Sequence, residues 1–181
     1  MTCIIGMIDK KHRKMYVGGD SCAGNPSQYT AYEIANPKVF AKKEYLIGYT
    51  TSFRMGQILE RFLEPPPIKD GDNLYHLMID KFVPQIIKIF KRHRWSKNED
   101  GNEVGGQFIV GVRGRLFFIE SDFSVIEYNS AFISCGCGVD YAEGSLFNDT
   151  RSKDAILRAF KAAAHFSVYV QPPFKILSRS Y

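Results

Sequence analysis

The sequence contains no apolar run long enough to cross a membrane, and its 181 residues include only one tryptophan and four cysteines. The apolar run nearest the start, residues 3–8, is short and lacks a basic flank, so it predicts neither a signal peptide nor a membrane span. The cysteines are too few for a disulfide framework, and Cys135 and Cys137 lack a second ligand pair at zinc-like spacing. We therefore expect reduced thiols, no metal or other cofactor, no membrane partner and a cytoplasmic location.

Hydrophobic residues make up 45% of the chain and aromatic residues 14%, which is enough apolar material for one sizeable core. No internal repeat, low-complexity tract or long linker divides the sequence. We expect a single domain that covers residues 1–181.

The chain has a formal net charge of +5, and part of its positive charge is local to one stretch. The basic residues of that stretch are Lys88, Lys91, Arg92, Arg94 and Lys97. Acidic residues between positions 99 and 103 follow at once, so we interpret the stretch as a charged helix end that runs into a solvated loop. A nucleic-acid surface is the weaker interpretation, and we expect no nucleic-acid partner.

The first third of the chain has the pattern of short strands. Two apolar segments, residues 2–8 and 14–19, flank a charged turn and predict a β-hairpin. A polar stretch at 21–36 contains glycine, proline and asparagine, and no strand is predicted there. Residues 38–40 and 45–49 predict two further strands, so four strands are expected before the first helix.

Two helices are expected next. The first begins near Ser52 and must end by Pro65, and the second follows the apolar stripe of residues 74–89. Pro84 lies inside that stripe and should kink or divide the helix. Residues 98–106 are polar and predict a loop.

The second half repeats the order of strands and then helices. A meander of strands is predicted at 107–112, 116–120, 124–128 and 131–135. Helices are predicted at 141–147 and 152–165, and a last strand at 174–177. Ser152 is the predicted N-cap of the longer helix. Its predicted inward face consists of Ala155, Ile156, Ala159, Phe160 and Ala163. Antiparallel strands with helices on the outer faces indicate an α+β fold in which two stacked sheets lie between helical layers.

Thr2 is the first candidate functional residue. Removal of Met1 would place a hydroxyl nucleophile and a free α-amine on one residue. An α-amine has a pKa of about 7.7 to 8.0, so part of it is unprotonated at neutral pH and can accept the hydroxyl proton. Taken alone, a Met-Thr start also fits a simpler interpretation, in which Thr2 is an exposed small residue whose preceding methionine is removed without any functional consequence.

Asp20 and Lys38 are the residues that could support such a nucleophile. Asp20 ends the second strand of the opening hairpin, and pairing would return it to the level of Thr2. Lys38 begins the next predicted strand. A lysine close to the threonine would favour loss of the hydroxyl proton, while a carboxylate would hold the lysine in place. Individually, Asp20 could instead cap a turn, and Lys38 could be one more exposed lysine.

Several segments together resemble the proteasome β-type subunits and their bacterial proteasome-like relatives, which are N-terminal nucleophile (Ntn) hydrolases. The resemblance covers nearly the whole chain except the loop near residues 95–106, and it lies in the order and spacing of the segments. The matching segments are residues 2–6, 17–21, 37–40, 136–144 and 155–164.

The resemblance implies a four-layer αββα fold and a threonine hydrolase, with a peptidase as the leading hypothesis. It assigns Thr2 as nucleophile, its own amine as base, and Asp20 with Lys38 as the charged pair. The resemblance implies that the oxyanion donor is a backbone N–H in the segment 48–52. We place this donor at Thr51, whose side chain would narrow the pocket. The implied substrate is a peptide or an unfolded protein. Assembly into a homo-oligomeric ring is also implied, and an ATP-dependent unfoldase is a candidate partner.

Two positions depart from the pattern of that family. Cys137 stands where the family has a serine that hydrogen-bonds the threonine amine, and His165 falls near the aspartate that supports this serine. Cys137 with His165 could also be read as a Cys-His dyad. Two alternatives to a peptidase therefore stay open. One is an inactive scaffold or interaction subunit of the same fold, and the other is an Ntn amidase that acts on a small molecule.

Overall fold

The computed structural model describes residues 2–25, 30–95, 97–99, 102–149 and 152–181. Within these ranges the first six strands are β1 (Cys3–Asp9), β2 (Lys14–Gly19), β3 (Cys22–Asn25), β4 (Thr30–Glu33), β5 (Val39–Lys42) and β6 (Tyr45–Tyr49). The later strands are β7 (Lys97–Glu99), β8 (Asn102–Val104), β9 (Phe108–Val112), β10 (Arg115–Ile119), β11 (Val125–Glu127), β12 (Phe132–Gly136) and β13 (Lys175–Ser180). The helices are α1 (Phe53–Phe62), α2 (Leu74–Leu77), α3 (Val83–Arg92), α4 (Val139–Leu146) and α5 (Lys153–Phe166).

Two antiparallel sheets contain most of the described strands. One has the strand order β12-β1-β2-β13, and the other has the order β11-β10-β9-β6-β5. β3 pairs with β4 and β7 pairs with β8 in two separate hairpins. The α+β class and the opening hairpin of β1 with β2 are as predicted.

Both faces of β1 are buried, which explains its almost continuous apolar sequence. Cys3, Ile5 and Met7 pack in a core with α4 and α5. Ile4 and Ile8 face the opposite way, into a core that the two sheets share. Because the side chains of a strand alternate between its faces, β1 separates a helix-sheet core from a sheet-sheet core.

The second sheet has its own helical cover. One core joins its strands β5, β6, β9 and β10 to α1, α2 and α3. α1 begins after Ser52, whose side chain accepts the N–H groups of Arg54 and Met55. It ends before the extended Leu63, two residues ahead of Pro65. Among the described helices, none is long and apolar enough to cross a membrane.

Pro84 divides the second helical stripe, as the sequence predicts. A π-helical turn at Met78–Phe82 separates α2 from α3, and the N–H of Val83 donates to the C=O of Met78, five residues earlier. Proline has no N–H to continue an α-helical ladder, so the wider turn accommodates it.

α5 confirms the prediction for the longer C-terminal helix. Its predicted inward residues are all buried: Ala155, Ile156, Ala159, Phe160 and Ala163. Ser152 occupies the N-cap position, although its side chain makes no capping hydrogen bond.

Three predictions about strands are wrong. The hairpin β3-β4 lies in the stretch 21–36 and the hairpin β7-β8 overlaps the stretch 98–106, so among the described residues six strands precede the first helix. Each hairpin satisfies its own backbone groups by pairing, which polar side chains do not prevent. The third error concerns β12, which pairs with β1 in the other sheet rather than with β11 as a continuation of the meander. Its residues Ile133 and Cys135 enter the core between the sheets.

Gly48 offers a test of how closely the two sheets pack. An alanine Cβ at this position would lie 2.5 Å from Ile4 Cγ2 and 3.0 Å from Val17 Cγ1. We expect Gly48→Ala to lower the free energy of unfolding by about 1–3 kcal/mol, because the added methyl group would overpack the core between the two sheets. Gly144→Ala is the matched control, since nothing lies within 4 Å of its Cβ position in α4, and it should stabilise by up to about 1 kcal/mol. Denaturant titration measures both, and equal effects would contradict close packing of the sheets.

Candidate active site

Thr2 lies directly before β1 and is only 4% exposed. Beside it is a cavity of about 30 Å³, which has room for about two water molecules. The cavity is lined by Thr2, Lys38, Tyr49, Thr50, Thr51, Ser52 and Phe53. Three of the predicted site residues, Thr2, Lys38 and Thr51, therefore border one cavity.

Asp20 follows β2 and is almost fully buried. Its Oδ1 accepts the N–H of Cys3, and its Oδ2 accepts the N–H of Cys22, both at 2.8 Å. The N–H of Asp20 donates to the C=O of Cys3 at 3.2 Å. These bonds place Asp20 across the hairpin from the residue that follows Thr2, where strand pairing predicts it.

Lys38 lies one residue before β5, not inside the strand as predicted, and is also almost fully buried. Its Nζ lies 3.0 Å from both carboxylate oxygens of Asp20 and 2.6 Å from the C=O of Cys22. The same ammonium lies 5.9 Å from the ring centre of Phe53, within cation-π range. Burying an ammonium is costly unless it is paired and hydrogen-bonded, and these partners meet that cost. A positive charge is thus held at the cavity that Thr2 borders.

Gly136 ends β12 where this strand meets the backbone of Thr2. Its φ is +96°, a conformation that favours glycine, and an alanine Cβ there would lie 2.0 Å from the carbonyl oxygen of Thr2. Any side chain at this position would displace Thr2. The sequence analysis did not place Gly136 among the site residues, although it lies in a segment that carries the resemblance.

Cys137 contacts Thr2 through its thiol. The Sγ lies 3.5 Å from the carbonyl oxygen of Thr2, to which the S–H donates, and the Ser167 hydroxyl donates to the Sγ at 3.5 Å. Ser167 was missed by the sequence analysis. The signal for it was a hydroxyl residue directly after α5, at the helix C-cap.

His165 is not a partner of this thiol. It is exposed in the last turn of α5, where its ring packs edge-on against Phe166 with ring centres 4.7 Å apart. The contacts of the Cys137 thiol are with Thr2 and Ser167 instead. The geometry therefore does not support a Cys137–His165 dyad.

Thr51 has an unusual backbone conformation for a β-branched residue. Its φ is +73°, which costs about 1–3 kcal/mol in a residue other than glycine. The N–H of Ser52 donates to the C=O of Thr50 at 2.8 Å, and the N–H of Gln107 donates to the Thr51 Oγ1 at 3.2 Å. Among the described residues, none accepts a hydrogen bond from the Thr51 N–H. Thr51 lines the cavity, and the role of its N–H as an oxyanion donor stays a prediction.

Burial keeps the neighbouring thiols and one phenol neutral. It raises the pKa of Cys3, with a further contribution from the Asp20 charge, and it also raises the pKa of Cys22. Burial and the charge of Glu60 raise the pKa of Tyr49 to about 12. These three groups stay protonated at neutral pH, so none of them supplies an anion that would compete with Asp20 for the ammonium. The described part of the chain contains no group of three or more metal-ligating side chains suited to an ion.

A larger cavity of about 460 Å³ adjoins the small one. Tyr49 and Phe53 line both cavities. The other lining residues are Ala23, Ile34, Ala35, Asn36, Gln57 and Glu60. The candidate site thus consists of a small polar cavity at Thr2 and a larger, mostly apolar cavity, with Tyr49 and Phe53 lining both.

Neither a protein-family model nor a curated protein sequence matches the chain. Solved structures match it over almost its full length. Thiobacillus denitrificans BPH is 19% identical, with a TM-score of 0.76 over 99% of this chain and 98% of that chain. BPH in complex with epoxomicin gives 18% identity and a TM-score of 0.77, covering 98% of each chain.

Two further structures show the same similarity. Eukaryotic HslV from Trypanosoma brucei is 13% identical, with a TM-score of 0.68 over 99% of both chains. The Anbu complex from Pseudomonas aeruginosa, solved as a helical assembly, is 15% identical, with a TM-score of 0.65 over 98% of this chain and 81% of that chain. The chain has their fold. HslV and Anbu are proteasome-type Ntn-hydrolase subunits, so the resemblance noted in the sequence is confirmed for the fold.

The ion pair between Asp20 and Lys38 can be tested through stability. We expect Lys38→Met to lower the free energy of unfolding by about 3–5 kcal/mol, because it leaves a buried carboxylate without its charged partner. Lys43→Met is the control, since Lys43 pairs with Glu64 at 3.8 Å and both side chains are more than half exposed. That change should cost less than about 1 kcal/mol. Denaturant titration of both variants decides the question, and similar losses would mean that the buried pair has no special role in stability.

Proposed function

We propose that this chain is a proteasome β-like threonine peptidase that uses Thr2, exposed as the N-terminus after removal of Met1, as its nucleophile. One observation carries the proposal. The cavity beside Thr2 is lined by Lys38, whose ammonium Asp20 holds, and by Thr51, whose N–H donates to no acceptor among the described residues. A hydroxyl, a fixed positive charge and an oxyanion donor are the groups that acyl transfer requires.

In the proposed reaction, the Thr2 Oγ attacks the carbonyl carbon of a peptide bond and its proton passes to the α-amine of Thr2. The carbonyl oxygen becomes negative and accepts the Thr51 N–H. The C–N bond then breaks, and the proton on the amine is transferred to the leaving nitrogen, which leaves an ester on Thr2. Water attacks this ester, with the α-amine again as base. The bond between the acyl carbon and the Thr2 Oγ then breaks, the proton on the amine returns to the Thr2 oxygen, and the carboxylic acid product leaves. Lys38 lowers the cost of negative charge at the Thr2 oxygen throughout.

The fold comparison supports this reaction class. Two cores between a sheet and its helices and one core between the two sheets support the four-layer αββα arrangement that we propose. BPH, which shares the fold, was solved in complex with epoxomicin. Anbu was solved as a helical assembly. By analogy we propose that this chain also works as a homo-oligomer, with a ring as the form that the resemblance favours.

The larger cavity is proposed to hold the substrate side chain next to the scissile carbonyl. It adjoins the Thr2 cavity through Tyr49 and Phe53, and Ile34 and two alanines make it largely apolar. A cavity of about 460 Å³ accommodates a large aliphatic or aromatic side chain. We therefore propose a preference for peptides with a large apolar residue on the acyl side of the cleaved bond.

The identity of the nucleophile can be tested by mass and by covalent labelling. Intact-mass analysis of the purified protein should show a chain that lacks Met1. Incubation with epoxomicin should then add one molecule of the compound, and peptide mapping should place it on Thr2. Thr2→Ala should abolish both the adduct and peptide hydrolysis, because the hydroxyl is the attacking group.

Three results separate this proposal from its alternatives. A retained Met1, or equal hydrolysis by Thr2→Ala and the parent chain, contradicts a Thr2 nucleophile. Folded oligomers without adduct or turnover favour an inactive scaffold. Hydrolysis of small acyl-amides but of no peptide in a matched panel favours an amidase, since both reactions would use the same nucleophile.

The proposed side-chain cavity can be tested with a substitution at its rim. Ala35 is exposed and lines the cavity, so Ala35→Phe should fill space without disturbing the core. We expect kcat/KM for peptides with leucine or phenylalanine before the cleaved bond to fall about tenfold or more, while peptides with alanine there change little. Ala41→Phe, at an exposed position of β5 away from the cavity, is the matched control. A uniform loss for all peptides would argue against this cavity as the specificity site.

A further inference from the structure

The chain turns sharply at Thr51, directly beside the proposed nucleophile. The bond from the Ser52 N–H to the Thr50 C=O joins residues i+2 and i, so it closes a three-residue γ-turn around Thr51. The φ of +73° is that of the γ-turn form with positive φ, which is rare and strained. A β-branched residue is a poor choice for this conformation, so its presence calls for a compensating interaction.

The turn also changes the hydrogen bonding at the end of β6, where this strand pairs with the residue before β9. β6 pairs with β9 in the register Tyr49 with Phe108, and the next pair is Thr50 with Gln107. The Thr50 N–H donates to the Gln107 C=O at 3.1 Å, so this pair is of the type that normally exchanges two hydrogen bonds. The return bond, from the Gln107 N–H to the Thr50 C=O, is not formed: the Ser52 N–H donates to that carbonyl, and the Gln107 N–H donates to the Thr51 Oγ1 instead.

The Thr51 side chain supplies the missing acceptor. Its Oγ1 receives the Gln107 N–H at 3.2 Å. The Gln107 side chain also binds Glu120, which directly follows β10: its Nε2 donates to the Glu120 Oε2 at 2.8 Å. On the other side of the turn, Ser52 caps α1. The Thr51 Oγ1 thus connects the turn to the sheet, and Ser52 connects it to α1.

We infer that the Thr51 hydroxyl is a positioning group, which replaces the Thr50 carbonyl as acceptor for Gln107 and so holds the γ-turn that presents the Thr51 N–H to the cavity. This inference rests on the proposed function for the role of that N–H. It explains why a threonine occupies a position whose backbone favours glycine. Glycine would relieve the strain but offers no acceptor, and valine would keep the strain and offer none either.

Three substitutions at one position test the inference. Thr51→Val keeps the shape and loses the oxygen, Thr51→Ser keeps the oxygen, and Thr51→Gly relieves the backbone strain without an acceptor. Amide hydrogen exchange of Gln107 measures the turn directly and requires no enzymatic activity. We expect exchange at Gln107 to be about tenfold faster or more in the valine and glycine variants, and close to the parent rate in the serine variant.

Steady-state kinetics on a peptide substrate then link the turn to the reaction. In Thr51→Val, kcat should fall about tenfold or more while KM changes less, because a displaced oxyanion donor affects the transition state most. Thr51→Ser should recover much of that loss. Unchanged Gln107 exchange in Thr51→Val, or exchange in Thr51→Ser as fast as in Thr51→Val, overturns the inference. If Gln107 loses protection in Thr51→Val but the parent chain shows no turnover, the hydroxyl's place in the turn is retained, while both its part in catalysis and the proposed function are refuted.

Discussion

The buried ion pair between Asp20 and Lys38 is the interaction on which the rest of the candidate site depends. One carboxylate binds the N–H groups of Cys3 and Cys22 together with the Lys38 ammonium, so it joins the start of β1, the start of β3 and the residue before β5. β1 and β5 belong to different sheets. The bonds that place a positive charge near Thr2 are therefore the same bonds that connect the two sheets at this end. Substitution of either residue would remove the opposite charge from a buried side chain.

A second constraint is the close approach of backbones around Thr2. β12 reaches the Thr2 carbonyl only because Gly136 has no side chain and adopts a positive φ. On the other side of β1, a Cβ at Gly19 would lie 3.0 Å from Ile4 Cδ1 and 3.1 Å from Val39 Cγ1. β12 thus lies at contact distance from the Thr2 carbonyl oxygen, and this close backbone approach limits where Thr2 can lie.

Helical periodicity made α5 predictable, because it buries one repeating face. The ends of α1 followed from Ser52 and the prolines after it, and the opening hairpin from two apolar segments around a charged turn. β3 and β4 were missed since their polar residues carry no apolar alternation, and pairing of β12 with β1 is non-local, so Ile133 and Cys135 look the same in either sheet. In the site, hairpin register was enough to bring Asp20 to Thr2. Ser167 offered only the weak signal of a hydroxyl at the end of α5, and Gln107 was not predictable, because its hydrogen bonds depend on how the chain turns at Thr51.

The two sides of Thr2 differ in the strength of the bonds that hold them. On the charged side, the Lys38 ammonium makes charge-assisted contacts of 2.6 to 3.0 Å. On the other side, Cys137 reaches Thr2 and Ser167 only through sulfur contacts of 3.5 Å, and a thiol is a weak donor and a weak acceptor. In the proposed reaction the first side governs the acidity of the hydroxyl, while the second lies along the backbone of the residue whose amine moves the proton. In the proposed reaction, a cysteine at this position would therefore leave the Lys38 charge beside Thr2 unchanged and weaken the support for the amine that accepts the hydroxyl proton.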